Sequence, residues 1–246
     1  MKYDGKKVVV IGGSSGFGRT AAKLLVGEGA RVLVTGRSVE SLEATAAELG
    51  ERAIAVRSNF SSLPDLDALA DRVKTEFGTV DALFVNAGVA NFTPFYSVTE
   101  ENFSDLFSIN AKGPYFTVQK LAPLLNEGSG VVLTTSAANV LGLPMVSVYA
   151  ATKAAVRSMT RSLATELLPR KIRVNAVSPG PIATGILDRS LPPEVAESTK
   201  AQMAQQNPMS RFGAPDEVAV AMLFLAFDAT YTTGAEFPVD GGGTQL

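Results

Sequence analysis

Tyr149 and Lys153 stand four positions apart in the stretch VSVYAATKAAVRS, residues 146–158, among small side chains. A phenol with an ordinary pKa of about 10 is a poor acid or base at neutral pH, but an ammonium beside it favours the phenolate and lowers that value. Four-residue spacing brings both side chains to one face of a helix, a turn apart, so a helix here would itself fix their proximity. The pair gains weight from what the chain lacks. There is no histidine, the usual acid/base group near neutrality and the commonest metal ligand, and no cysteine, so thiol chemistry and disulfides are excluded. Proton transfer must use another group, and no metal site is expected.

A second feature with chemical meaning lies near the N-terminus. In VVVIGGSSGFGRTAAKLL, residues 8–25, a β-branched run ends in glycines and passes into a helical pattern. Gly12, Gly16 and Gly18 allow a tight turn and a close approach of backbone to phosphate, while the helix start offers free N–H groups and the positive end of its dipole. A pyrophosphate fits such a turn.

These groups need a scaffold, and the alternation along the chain supplies one. KVVVIG, RVLVTG, RAIAVRS, VDALFVNAG, GVVLTTS and IRVNAVSPG are short β-branched runs ending at Gly, Ser or Asn, separated by stretches of helical periodicity such as 39–49, 65–77, 100–124 and 150–168. The runs are apolar at nearly every position, as in strands buried on both faces of a parallel sheet. The expected fold is therefore α/β, a doubly wound parallel sheet with helices on both faces, in one domain over residues 1–246. In such a sheet ligands bind beyond the carboxyl ends of the strands. Residues 181–214, with LPPE and QQNP, interrupt the alternation and are expected to form a substrate loop or lid. The 22 basic and 24 acidic residues nearly balance, with no long run of like charge, so neither nucleic acid nor a membrane surface is expected as a partner. Residues 1–7 lead straight into an apolar run without a signal-peptide pattern, and no stretch is apolar enough to span a bilayer, so a cytoplasmic location is expected.

The ordered set Gly12-x-x-x-Gly16-x-Gly18, Asn86-Ala87-Gly88, Asn110, Ser136, Tyr149-x-x-x-Lys153 and Pro179-Gly180 resembles the short-chain dehydrogenase/reductase (SDR) family over essentially the whole chain. Arg211-x-Gly213-x-Pro215 and Val239-Asp240-Gly241-Gly242 stand where that family has such stretches. The resemblance implies a single-domain Rossmann fold with about seven strands and a nicotinamide cofactor. It further implies that Tyr149 exchanges a proton with the substrate oxygen, that Ser136 hydrogen-bonds this oxygen, that Lys153 also binds the nicotinamide ribose, and that Asn110 supports a proton-relay water. By the same resemblance the cofactor runs along Gly12, Ser14, Ser15, Gly16, Phe17 and Gly18, with Asn59 and Phe60 near the adenine. It continues past Asn86, Ala87 and Gly88 to Tyr149 and Lys153, with Pro179, Gly180, Ile182 and Thr184 around the carboxamide.

Cofactor choice is argued at RVLVTGRS. An acidic residue at this strand end would accept from an adenosine ribose diol and repel a 2′-phosphate, but Gly36 is followed by Arg37 and Ser38. Arg37 can pair with a 2′-phosphate, so NADP(H) is expected over NAD(H). Two residues depart from the family pattern. Ile11 replaces the threonine common before the first glycine, which removes a turn hydrogen bond, and Asn59 replaces an aspartate, which keeps hydrogen bonding but drops the charge.

After Ser136 the segment AANVLGLPMVSV is apolar, and Ala138, Leu141 and Leu143 in it, with Asn91, Phe92 and Leu187, outline a greasy substrate pocket. The expected activity is that of a carbonyl reductase, an alcohol dehydrogenase in reverse, on an apolar ketone or aldehyde. One alternative is 3-oxoacyl-[acyl-carrier-protein] reductase, which would want a basic docking patch where residues 181–206 offer only Arg189 and Lys200. Another, of a different class, is a non-catalytic dinucleotide-binding sensor, against which stand the retained Tyr149 and Lys153. Halohydrin dehalogenases are similar too, but carry arginine at the position of Lys153. Finally, Ala111, Phe116, Ala122, Ala151, Ala155, Met159 and Leu163 are expected on helix faces turned from the sheet, and with residues 237–246 the resemblance implies a homotetramer.

Overall fold

The structure is a computed structural model that describes residues 1–185, 187–188 and 192–246. The β-branched runs form β1 (Lys7–Ile11), β2 (Arg31–Gly36), β3 (Ala53–Arg57), β4 (Val80–Val85), β5 (Leu125–Thr134) and β6 (Arg173–Pro179), and a short seventh strand, β7 (Glu236–Val239), completes the sheet. All neighbours pair in parallel, in the order β3-β2-β1-β4-β5-β6-β7.

Side-chain alternation in the strands builds two cores, one on each face. Val8, Val10, Val32, Val34 and Phe84 point to the first, covered by α1 (Gly16–Gly27), α2 (Val39–Leu49) and α8 (Pro215–Leu223). Val9, Ile11, Leu33, Leu83 and Val85 point to the second, under α3 (Leu63–Phe77), α5 (Gly113–Leu121) and α6 (Ser147–Leu167). Val8 through Ile11 are fully buried, and burial of each such side chain stabilises the fold by about 1.5–3 kcal/mol. A charge placed at any position from Val8 to Ile11 would therefore be buried within the sheet and disrupt it.

Local signals set the helix starts. The Ser38 hydroxyl accepts from the Ser41 N–H at 3.2 Å to open α2, and Thr99 Oγ1 accepts from the Asn102 N–H at 3.1 Å to open α4 (Glu100–Phe107). The stretch read as one helix over 100–124 is helical but not uniform: α4 passes through a π-helical turn, Ser108–Lys112, before α5. A π-turn shifts the facing of every later side chain, and this one falls on Asn110.

Residues 181–214 are tied down at their base. Ile182 and Gly213 form a parallel bridge, with Ala183 N–H donating to the Gly213 carbonyl and Gly213 N–H to the Pro181 carbonyl, both at 2.9 Å. The segment carries α7 (Pro193–Gln206). Arg189 lies outside the described residues. The Arg211 guanidinium pairs with Glu217, and Glu217 accepts from the Ala214 N–H at 2.7 Å, so this family stretch fastens the start of α8.

Two expected interface residues are corrected. Ala111 and Leu163 are buried within the subunit, at 4% and 7% exposure, and Leu163 belongs to the second core. Helical spacing alone could not separate the inward face of α6 from its outward one. No described helix is long and apolar enough to cross a membrane.

Candidate active site

Strand order reverses between β1 and β4, and a crevice at this switch point is where a doubly wound sheet receives ligands. The glycine turn sits there. Gly12 has φ of +76°, in the left-handed region, and a Cβ on it would stand 2.8 Å from the Ala87 backbone. A Cβ on Gly18 would overlap the Asn86 amide and the Gly12 carbonyl. Asn86 holds the turn by donating from Nδ2 to the Gly12 carbonyl at 3.1 Å. Ser14 and Ser15 complete it, and Ser15 makes no side-chain cap to α1, which leaves the first N–H groups of the helix to an anion. Phe17 instead packs on the first core. Thr184 comes down over the turn, its methyl 3.4 Å from where a Cβ on Gly16 would be. Ile182 is buried, and Gly180 N–H donates to the Val239 carbonyl at 3.0 Å, which fastens Pro179 and Gly180 to the end of β7. Ala87 N–H donates to the Ile11 carbonyl at 3.0 Å, so Ala87 lies against the turn, while a Cβ on Gly88 would stand 3.3 Å from Lys153 Nζ.

The end of β2 carries more positive charge than its own sequence shows. Gly36 pairs with Arg57 across the β2–β3 ladder, and Arg57 Nε donates to the Arg37 carbonyl at 3.3 Å. Two exposed guanidinium groups therefore flank one strand end, and neither forms an ion pair with another described residue. Asn59 N–H donates to Asp65, and Asn59 Oδ1 accepts from the Ser61 hydroxyl at 2.8 Å, so the oxygen of that amide is occupied by its own turn. The Phe60 side chain is buried in the second core, which leaves only its main chain to a cofactor.

At the other end of the crevice α6 carries Tyr149 and Lys153 past the end of β5. Lys153 is 5% exposed and its Nζ donates to the Thr134 carbonyl at 3.0 Å, 5.8 Å from the centre of the Tyr149 ring. Burial drives the Lys153 pKa down to about 8. Burial also raises the Tyr149 pKa, against which the Ser136 hydroxyl works in the opposite sense. The net direction for the phenol is therefore upward, set by burial against the Ser136 hydroxyl, while the Lys153 ammonium, expected to favour the phenolate, donates its hydrogen bond to the strand carbonyl. Asn110 is fully buried; its Oδ1 accepts from Val89 N–H at 2.9 Å, and its Nδ2 donates to the Val89 carbonyl at 2.8 Å and to Thr152 Oγ1 at 3.3 Å. Both amide protons are spent on tying the segment after β4 to α6.

The apolar side chains expected around a substrate divide. Phe92 and Leu143 are exposed, Leu141 is half-buried, and Ala138 and Leu187 are buried, while Asn91 accepts from Thr93 Oγ1. Thr93 N–H donates to the Met145 carbonyl at 2.8 Å, which joins the Asn91–Phe92 side of the crevice to the Leu143 side. Thr134 and Arg57 escaped the sequence reading. Both end strands, and the rule that ligands gather at strand ends is the signal that points to them.

A dinucleotide cradle on one side of a switch point and a half-buried Tyr149 beside a buried Lys153 on the other define a Rossmann-type oxidoreductase. A family model described as "Enoyl-(Acyl carrier protein) reductase" matches residues 12–244. The chain is 41% identical to "Oxidoreductase asL5" of Sarocladium schorii, covering all of this chain and 98% of that protein. It is 35% identical to the 3-oxoacyl-[acyl-carrier-protein] reductase FabG of Staphylococcus aureus, over 96% of this chain and 97% of that one. Among solved structures it is similar to a short-chain dehydrogenase/reductase, glucose/ribitol dehydrogenase, of Brucella melitensis, with a TM-score of 0.93 at 33% identity over 100% and 99% of the two chains. A levodione reductase structure also gives a TM-score of 0.93 at 33% identity, over 98% of each chain. The chain belongs to the short-chain dehydrogenase/reductase family and is an oxidoreductase of that family.

Proposed function

We propose that this SDR oxidoreductase uses NADP(H) to interconvert an apolar ketone or aldehyde with its alcohol, Tyr149 being the proton donor and acceptor. The observation that carries the reading is the meeting of Tyr149, Ser136 and Lys153 at the end of β5, in a chain without histidine. The cradle fits a dinucleotide: glycines stand where a Cβ would collide, and the α1 N–H groups are uncapped. When bound, the cofactor supplies or accepts the hydride.

The chain's own residues do the rest. The Ser136 hydroxyl donates to the substrate oxygen and orients it, while the Tyr149 hydroxyl gives that oxygen its proton during reduction. A phenol kept protonated by burial is in the correct form for this at neutral pH. Lys153, still protonated at pH 7, stabilises the phenolate that remains and would hold the ribose hydroxyls. Arg37 and Arg57 would take a 2′-phosphate, and residues 181–214 would close over the substrate.

The similarity to FabG favours a second reading, reduction of a 3-oxoacyl thioester on an acidic carrier. Against it, Lys200 is held by Asp188 at 2.5 Å and Glu197 at 2.7 Å rather than free for a carrier. An NADPH-oxidation screen across aryl ketones, aliphatic ketones, sugars and acyl thioesters separates the two. Turnover confined to thioesters would replace the first reading with the second, and no turnover on any carbonyl would remove both.

A further inference from the structure

Behind the crevice, β7 sends one charged side chain inward. Glu236 Oε1 accepts from Thr135 Oγ1 at 2.5 Å and from Asn139 Nδ2 at 2.8 Å, and Oε2 faces Arg157 Nε at 3.4 Å. Asn139 Nδ2 donates in addition to the main-chain carbonyl of Ser136 at 2.7 Å. Arg157 stands on α6 one turn beyond Lys153 and donates from a second nitrogen to the Gly234 carbonyl at 2.9 Å. The ion pair is not a surface one, since its side chains are 15% and 17% exposed, so removing either partner would leave the other charge largely buried and unpaired. Strand pairing does not need this carboxylate, because the backbone of β7 already pairs with β6 from Ala176↔Glu236 to Pro179↔Val239.

One carboxylate thus holds the residue before Ser136, the residue three after it, and the helix that presents Tyr149. We infer that Glu236 is a positioning residue, clamping residues 135–139 to α6 so that the Ser136 hydroxyl stays against the Tyr149 phenol. The inference rests on the reading of Tyr149 as the proton donor. Ser136 is the group that opposes the effect of burial on that phenol, so a slack clamp raises the Tyr149 pKa further. The charged group that faces the phenol is Lys153. The one that faces the clamp is Arg157, with Arg161 acting on Arg157 in turn.

Glu236→Ala and Glu236→Gln test it, the glutamine keeping an oxygen that accepts from both Thr135 and Asn139. The readouts are NMR of tyrosine labelled at the phenol carbon, with the Tyr149 signal identified by its loss in Tyr149→Phe, together with kcat and the cofactor KM. Glu236→Ala is expected to move the Tyr149 titration to higher pH and to lower kcat by roughly 10–100-fold while the cofactor KM stays near the wild-type value. Glu236→Gln is expected to restore both. An unmoved Tyr149 signal in Glu236→Ala overturns the clamp, and so does a glutamine variant as impaired as the alanine one, which would assign the effect to the Arg157 pair. If Glu236→Ala does not fold, Asn139→Ala removes the side-chain bonds to Glu236 and to the Ser136 carbonyl while leaving the Arg157 pair in place, and must move the same signal. A wild-type protein that reduces no carbonyl would end the functional reading, yet the Tyr149 signal would still decide on the clamp.

Discussion

The Lys153 ammonium donates a hydrogen bond to the Thr134 carbonyl at 3.0 Å, and that bond fixes its head at the end of β5, 5.8 Å from the centre of the Tyr149 ring. The four-residue spacing brings the lysine to the end of β5, where a strand carbonyl receives it. A cation so buried with one carbonyl partner is held at a cost, visible in its pKa of about 8 against an ordinary 10.5.

That cost has a definite sign in the stability of the cofactor-free protein. Below pH 8 the lysine is protonated both folded and unfolded, and the full cost is present. Between pH 8 and 10.5 the unfolded chain binds a proton that the folded chain releases, so this group makes stability rise with pH through that window and level off above it. Lys153→Met should therefore be more stable than wild type at pH 7, by about 1–3 kcal/mol, with the gap closing as pH approaches 10.5. Urea unfolding of both proteins at several pH values measures it. A methionine variant that is the less stable at pH 7 would show that the Thr134 bond outweighs desolvation.

Tyr149→Phe should keep the fold and cofactor binding while lowering turnover by roughly 10²–10⁴-fold, the usual contribution of a positioned acid/base group. Because burial raises the phenol pKa, alcohol oxidation, which needs the phenolate, should gain with pH well into the alkaline range, whereas ketone reduction should be flat around neutrality. Near-wild-type turnover in the phenylalanine variant would end the assignment.

The sequence carried the fold because strand alternation and the glycine turn are local properties: Val8 to Ile11 must be buried on both faces, and Gly12 needs a positive φ whatever follows. Relations between distant segments were out of its reach. Nothing in the chain places Glu236 beside Asn139, 97 residues away, or shows that Asn110 spends its amide on Val89. The sign of the Tyr149 shift was hidden for the same reason. Proximity of Lys153 is written in the spacing, but burial of the phenol depends on everything packed around it.

The charge at the end of β2 and β3 can be tested without touching Gly36, which matters because a Cβ at that position would collide with Ser14 in the glycine turn. Arg37→Ala should weaken NADPH relative to NADH by about 10-fold, on the scale of a charged hydrogen bond, and Arg37→Ala with Arg57→Ala should weaken it further. Ratios of kcat/KM for the two cofactors, measured side by side, give the answer. A wild type that prefers NADH would overturn the reading of both arginines.

The assembly prediction now rests on different residues from those that spacing suggested. With Ala111 and Leu163 inside the subunit, and Phe116 and Met159 packed partly on the second core, what remains outward near α6 is the exposed Ala151, with Ala122 and Ala155 half-buried. The C-terminal side is marked more strongly. Phe237 and Phe224 are each 43% exposed with ring centres 6.2 Å apart, an apolar pair open to water, and the C-terminal Leu246 is 94% exposed. Two such faces on one subunit would, if each paired about its own two-fold axis, build a closed tetramer. Light scattering coupled to size exclusion should report four chains for the wild type and two for Phe237→Asp, which places a charge in the C-terminal face and leaves the α6 face intact. A wild-type mass near the 25.7 kDa of one chain would rule the assembly out, and a tetramer that survives Phe237→Asp would move the second interface elsewhere on the surface.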